Sequence, residues 1–355
     1  MIDLPPPSEG PPGVVLALDG YWIGGRGQEF GELEDVGVLK DGRVVLLDGL
    51  SARLTVLDPD GNVDVAFGRQ GAGPGEFNPL GLSRIVETDS SIVVPDAGLA
   101  RITEFSLQGE LMGTYPLPGQ GIYPLEWREH PWGGIAYRTL NFAGPDLILR
   151  LSEDGLDTLY AFPPQTAPHN TLLAPTALWD LAPTGALVVG RSDRSVVELR
   201  DGRTAEPLWM FQRPGTGAPV SDVERRYVED VVIRSVTQET GGGQLSPEAR
   251  AAVLSGITIA HWKPLISQVR TAPNGEVWVR GIRDFERMDR DALRVGSAEG
   301  WGGTDWEVFS AEGLPLRRVR LPDGFTPRRF TPGWIYGILA EELGVQVAAR
   351  VKTER

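Results

Sequence analysis

The chain contains no cysteine. Disulfides, thiol nucleophiles and cysteine-ligated zinc are therefore excluded, while the compartment stays open, because cysteine-free chains suit reducing and oxidising surroundings alike. Histidine is scarce: His130, His169 and His261 are all there are. No apolar run approaches the ~20 residues that a bilayer-spanning helix needs, so direct membrane insertion is not expected. Positive charge is in deficit, with 34 Lys and Arg against 48 Asp and Glu and a net charge of −14. Such a field repels phosphate backbones and anionic lipid, which removes nucleic acid as an expected partner.

What the chain has in excess is turn chemistry. Its 45 glycines and 29 prolines, set among 41% hydrophobic residues, punctuate many short apolar runs and point to an all-β fold. The recurring unit is two β-runs joined by a tight turn. "VGVLKDGRVVLLD" (Val36 to Asp48) is followed by "RLTVLDPDGNVDVAFG" (Arg53 to Gly68), with Asp41-Gly42 and Asp60-Gly61 as hairpin turns. First turns recur near Gly42, Ser90, Gly134, Gly185 and Gly275, and second turns near Gly61, Gly109, Gly155, Gly202 and Gly313. Most steps are ~45 to 50 residues, the length of one four-stranded propeller blade.

The longer steps call for insertions. Between Arg213 and Pro264 two stretches read as helices, with Ser221 or Asp222 and Ser246 as N-caps and Pro247 at a first helical position. This helical insertion, at about 219–259, falls between blades four and five. A second insertion, at about 284–304, is charged and Gly-rich. Five sheets are followed by a C-terminal set from Arg328 to Thr353 that is one strand short. The N-terminal run Val14 to Gly24 is expected to pair with it and close a ring of six blades, hiding open sheet edges. Residues 1–13, with neither a basic nor an apolar segment, read as a Pro-rich spacer ahead of a single domain covering 14–355.

The stretch "FGRQGAGPGEF" (Phe67 to Phe77) has the glycine density of a phosphate-binding loop. A phosphate loop leads into a helix N-terminus, whereas this one leads into a β-run. "GRGQEFGELEDVG" (Gly25 to Gly37) repeats the pattern, so both are read as connectors from the outer strand of one blade to the inner strand of the next.

These connectors, the blade core "LKDGRVVLLDGLSARLTVLDPDGN" and the segments Pro264 to Arg280 and Gly333 to Val351 resemble bacterial six-bladed β-propeller proteins related to NHL-repeat propellers. The resemblance covers nearly the whole chain. It implies a soluble propeller of a group often exported or lipid-anchored, within a superfamily of scaffolds, ligand binders, lactonase-like hydrolases and amidating lyases.

In such a ring the inner strands border a central channel. Counting back from the first turns places Asp35, Gly37, Ser83, Glu126, Arg128, Asp180, Gln268 and Arg270 there. So polar a set is either a self-paired network or a site for a small ligand or a metal. Lactonase-like propellers hold calcium with oxygen ligands, which Asp35, Glu126 and Asp180 would supply under that resemblance. The histidines lie in turns and loops and are read as unconnected rather than as a zinc triad. Asp48 and Asp96 end equivalent strands and are read as turn anchors. Trp278 and Trp334 are assigned to packing between blades. Trp301 and Trp306, flanking the second insertion, are candidates for an exposed binding surface, as is Tyr227, which the first helix carries on its apolar side with Val223, Val231 and Val232.

Two functions remain. One is a binding or scaffolding propeller that takes a protein, peptide or saccharide through its rim loops and helical insertion, without a cofactor. The other is a metal-assisted hydrolase or lyase at the channel mouth, with calcium as its metal. If a ligand enters the channel, the helical insertion is expected to cap it.

Overall fold

The Asp-Gly dipeptides form the turns that their chemistry predicts. Gly42 and Gly61 sit at φ of 89° and 86°, where any side chain is strained. Around them Leu33–Val38, Val44–Asp48, Arg53–Leu57 and Val63–Phe67 pair in sequence order as one antiparallel sheet. All five residues of Val44–Asp48 are buried, because a blade strand is covered on both faces by neighbouring blades.

The computed structural model describes residues 2–3, 13–22, 30–82, 84–118, 123–141, 144–164, 171–194, 196–212, 217–239, 244–282, 302–340 and 345–353. They form a six-bladed β-propeller. The inner strands, in order around the ring, are Leu33–Val38, Val86–Glu87, Tyr123–Glu129, Ala177–Leu181, Ile266–Thr271 and Phe325–Thr331. Six apolar clusters fill the six gaps between blades, one cluster for each gap. The gap between blades four and five is centred on Phe211 and Phe309, stacked with ring centroids 4.2 Å apart.

Ring closure follows the expected route. Leu18–Trp22 pairs antiparallel with Gln346–Lys352 and completes the last blade. The chain start does more than space the domain. Gly13–Val15 adds in parallel to the outer strand of blade five, and Ile2–Asp3 adds in parallel to that of blade four. Unpaired edge groups on these two blades are thereby satisfied.

The connector between blades one and two shows why it is rich in glycine. Phe77 is fully buried in the cluster between those blades, so the backbone must turn tightly on both sides of it. The Gly73 amide donates to the Glu76 carboxylate at 2.8 Å, and Arg69 pairs with the same side chain. These contacts hold the Glu76 pKa below the usual carboxylate value, with the Gly73 amide as the larger cause and Arg69 second. The loop therefore does cradle an anion, and the anion is its own glutamate. Asp48 and Asp96 anchor turns as expected: Asp48 accepts from the Gly31, Glu32 and Leu50 amides, and Asp96 from those of Asn78 and Leu99.

The helical insertion is present as α1 (Asp222–Glu239) and α2 (Pro247–Ser255). Ser221 and Glu224 form a reciprocal capping box, and Ser246 caps α2 ahead of Pro247. Helix α1 packs Val228 and Val231 against Leu173 and Ile259, with Tyr227 half-buried beside them. Val223, expected on that apolar side, is 65% exposed. The second expected insertion lies outside the described residues except for 302–304, which begin the strand Gly302–Phe309.

Candidate binding site in the central channel

The blades stand radially, so an inner strand presents its edge to the channel and its side chains to the gaps on either side. Val36 packs toward the last blade in the cluster with Tyr336 and Ile338. A Cβ at Gly37 would meet Glu87 and Ile85 of the next blade. Side chains of both alternating sets nonetheless line the channel cavity, as Ile85, Val86, Glu87 and Thr88 do.

Register shifts re-aim four of the inner strands. They occur between Leu33 and Asp35, Leu125 and Arg128, Ile266 and Gln268, and Pro327 and Arg329. In each case pairing resumes at a polar residue, and two of the four, Arg128 and Arg329, line the channel cavity. In blade three the shift is sharp enough to put Glu126 at φ 55°, a conformation that a residue with a Cβ adopts only under constraint.

A cavity of about 270 Å³ occupies the channel, with wall residues from all six inner strands or the turns that follow them. Its residues come from the strand ends that run into the first hairpins (Lys40, Thr88, Glu129, Leu181, Thr271 and Thr331), so it opens on the hairpin face. The wall carries five cations, Lys40, Arg128, Arg270, Arg328 and Arg329, against three carboxylates, Glu87, Glu129 and Asp180. Carboxylates outside the wall meet these cations, Asp89 at Lys40, Asp35 at Arg329 and Glu126 near Arg128 and Arg270.

Two aspartates hold the ring at opposite points in the same manner. Asp35, in blade one, accepts from Arg329 of blade six at 3.0 Å and from the Ile85 amide of blade two at 3.0 Å. Asp180, in blade four, accepts from Arg128 of blade three at 2.6 Å and from the Thr271 amide of blade five at 2.8 Å. Each aspartate thus ties the blade before it to the blade after it.

The two halves differ in one respect. Arg329 has a second carboxylate, Glu87, whose oxygens lie 3.0 Å from its Nε. Among the described residues Arg128 hydrogen-bonds one carboxylate, Asp180, while Glu126 acts on it at longer range. The Arg128 Nη1 donates to the Trp127 carbonyl at 2.7 Å, its guanidinium lies 5.7 Å from the Trp179 ring centroid, and its Nη2 is buried with no hydrogen-bond partner among the described residues.

Burial alone would raise the Asp35 pKa, but Arg329, Arg84 and Arg328, with the Ile85 amide, outweigh it and hold it low. Burial raises Glu87, and the neighbouring Asp35 charge adds to the rise despite Arg329. Glu126 is half-buried; desolvation would raise it, yet Arg138, then Arg128 and Arg270, bring it below the usual value.

Of the residues expected at the channel, Arg128, Asp180 and Arg270 line the cavity. Asp35 stands behind its wall, fully buried. Glu126 turns to Arg138 of its own blade, with Nε at 3.0 Å, and that arginine also holds Asp146. Gln268 is buried, and Ser83 lies outside the described residues. The sequence reading missed Glu87, Arg328 and Arg329. Arg328 was within reach of the same counting rule, since Gly333 follows it at the distance at which Gly275 follows Arg270; Arg329, one residue further on, was not.

Of the aromatic candidates, Trp306 does not reach the surface. Trp306 is 1% exposed, packed edge-on to Trp278 and near Phe330. It alternates into the gap between blades five and six because it lies in a regular strand rather than in the insertion. Trp301 is outside the described residues, and the exposed aromatic near the helices is Trp262. His130 sits in a hairpin turn, buried, whereas His261 is exposed on the connector leading from the helices into blade five; the two lie on opposite faces of the ring. His169 is outside the described residues. Among the described residues no three His, Asp or Glu side chains are grouped to hold a metal.

The helical insertion follows the outer strand of blade four and precedes the inner strand of blade five, packing near Ile282. It therefore sits on the connector face, opposite the cavity mouth, and does not cap this cavity. No helix of the described residues is long and apolar enough to cross a membrane.

The fold and channel define a six-bladed β-propeller. Residues 28–169 match a family model, DUF5128, described as a 6-bladed beta-propeller. No curated protein matches the chain. Among solved structures it is similar to a putative exported protein from Bacteroides fragilis, at 10% identity, covering 93% of this chain and 92% of that one, with a TM-score of 0.54. It is also similar to a member of the DUF4221 family from Bacteroides vulgatus, at 8% identity, covering 92% of this chain and 94% of that one, with a TM-score of 0.53. At such identities the likeness is one of fold.

Proposed function

We propose that the protein is a binding propeller, which recognises a protein, peptide or saccharide at the hairpin-side mouth of its channel without transforming it. The observation that carries this reading is the state of the channel carboxylates. Asp35, Glu126 and Asp180 each accept from an arginine at 3.0 Å or less. A cation needs those lone pairs, and a general base needs one turned toward its substrate. A metal-assisted hydrolase or lyase would have to release these arginines, and leaving a buried partner of an ion pair uncompensated costs about 3–5 kcal/mol.

The exposed Val223 of the insertion and Trp262 of the connector after it offer a second contact surface on the connector face. No metal or other cofactor belongs to this reading. Elemental analysis of protein purified without chelator or affinity metal, before and after exhaustive dialysis, tests it. The expected result is no stoichiometric metal. About one calcium or zinc retained per chain would overturn the reading in favour of metal-assisted chemistry.

A further inference from the structure

Strand addition is already part of how this chain finishes its blades. Gly13–Val15 lies parallel to residues 318–320 on the outer edge of blade five, and Ile2–Asp3 lies parallel to residues 211–212 on that of blade four. Of the six outer strands only two, Leu111–Pro116 in blade two and Pro207–Gln212 in blade four, hold no charged residue. A charge on an edge strand discourages pairing with a foreign strand. The chain covers the second of these two edges with Ile2–Asp3, and among the described residues nothing pairs with the first.

The edges of blades two and five match in geometry. The Leu117 amide donates to the Ala100 carbonyl at 2.9 Å, as the Leu321 amide donates to the Thr304 carbonyl at 2.9 Å, so Pro116 stands where Arg320 stands. In blade five the Arg320 carbonyl accepts from the Leu16 amide, just past the added strand, at 3.0 Å. By the alternation of a pleated strand, the Pro116 carbonyl and both backbone groups of Thr114 point outward in the same way. Leu111, Met112 and Tyr115 around them are 44%, 56% and 50% exposed. Charge selects the occupant. Glu110 precedes the strand and Glu104 lies opposite Gly113, whereas Arg101, the arginine of the neighbouring strand, is taken up by the carbonyls of Ala72, Gly73 and Glu76.

We infer that the outer edge of blade two is a docking site for an extended peptide of another protein. The peptide adds in parallel along residues 114–116, with apolar residues in the strand and a lysine or arginine just ahead of it, toward Glu104 and Glu110. Backbone pairing supplies the affinity and the flanking charge the preference. The site is independent of the channel.

The test is fluorescence anisotropy of the labelled peptides KKGVVLA and EEGVVLA, titrated with the full chain. Their common part is residues 13–17, which contains the strand that blade five already accepts. Saturable binding of KKGVVLA below about 1 mM is expected, with EEGVVLA about tenfold weaker or worse. Thr114→Pro removes an outward amide, and should cost KKGVVLA about tenfold in affinity at unchanged circular dichroism. Glu110→Lys, at an exposed turn position, should bring the two peptides close to equal affinity, and it carries the test if the proline variant fails to fold. Unchanged affinity for KKGVVLA in either folded variant would overturn the inference, as would the absence of saturation up to about 1 mM. A monomer–dimer equilibrium in sedimentation velocity that Thr114→Pro abolishes would assign the edge to a second copy of the chain and overturn it as well. Each of these outcomes leaves the channel reading standing.

Discussion

Asp35 and Glu87 share the guanidinium of Arg329, and their pKa values move in opposite directions. One cation serves two buried carboxylates. Asp35, closer to the other arginines, takes most of the stabilisation, and its charge is then part of what raises Glu87. Asp35 is also where the two ends of the ring meet, joining blade one to blade six.

The pair predicts opposite pH signatures. Asp35 is shifted down, so its contribution is fully present above the ordinary aspartate value of 3.8 and is lost as the pH falls through the lower folded value. Asp35→Asn should cost about 3–5 kcal/mol at neutral pH and less at strongly acidic pH. Glu87 is shifted up, so its ionisation weighs against the fold as the pH rises above 4.5. The destabilisation caused by Glu87→Gln should shrink over that rise. Urea unfolding of both variants across pH 3 to 8 checks the two signs, and parallel curves would contradict the assignment.

His130 predicts a second pH effect. Burial, with Arg150 as a lesser cause, pushes it down to about 4 from 6.5, and its Nδ1 accepts from the Trp132 amide at 3.2 Å. The folded state therefore holds a neutral imidazole. Its contribution is complete above pH 6.5 and falls away toward pH 4 as the unfolded chain takes up the proton. The imidazole NMR signals of His130 should titrate near pH 4. Titration near 6.5 would show the ring to be open to solvent.

Phe77 should be the residue on which the first connector depends most. Phe77→Ala removes a fully buried ring between two blades and should cost about 3–5 kcal/mol, read as a lowered melting temperature. Glu76→Ala should also lower it, because the Gly73 amide and Arg69 lose their anion. Limited proteolysis should then cleave within residues 69–77, which the wild-type loop resists.

Gly37→Ala probes the channel without removing a charge. The new methyl would lie 2.0 Å from Glu87 Oε1 and 2.7 Å from Ile85 Cδ1, so the Glu87 side chain must leave the Val38 amide it accepts from. Overpacking of this kind costs about 1–3 kcal/mol. Unchanged thermal stability would mean that Glu87 moves freely and contributes little to the network.

Removal of residues 1–22 should do more damage than its length suggests. It strips Leu18–Trp22 from Gln346–Lys352 and exposes that strand as an open edge. Aggregation in size-exclusion chromatography is the expected outcome. A monodisperse, cooperatively melting product would show that three strands suffice for the last blade.

Much of the architecture was legible because it is written in local chemistry. Turns recurring at ~45 to 50 residues over most of the chain, mostly at glycine, mark the blades, and the N-caps Ser221 and Ser246 mark the helices. The site was legible only in part. Arg128, Asp180 and Arg270 fall where counting puts them, but Glu126 and Gln268 are turned or withdrawn at register shifts that no local pattern announces. Trp306 was misplaced because its neighbours in sequence are an insertion, while its neighbours in space are Trp278 and Phe330.

By itself, then, the sequence determined the number of blades, the ring closure and the exclusion of thiol chemistry, since turn conformations, strand periodicity and composition act over a few residues at a time. The tertiary structure alone decided which carboxylate meets which arginine. Asp35 and Arg329 are 294 positions apart, and Asp180 and Thr271 are 91. Partners at that separation are chosen by the radial packing of blades, and so is the difference between Arg329, held by two carboxylates, and Arg128, held by one.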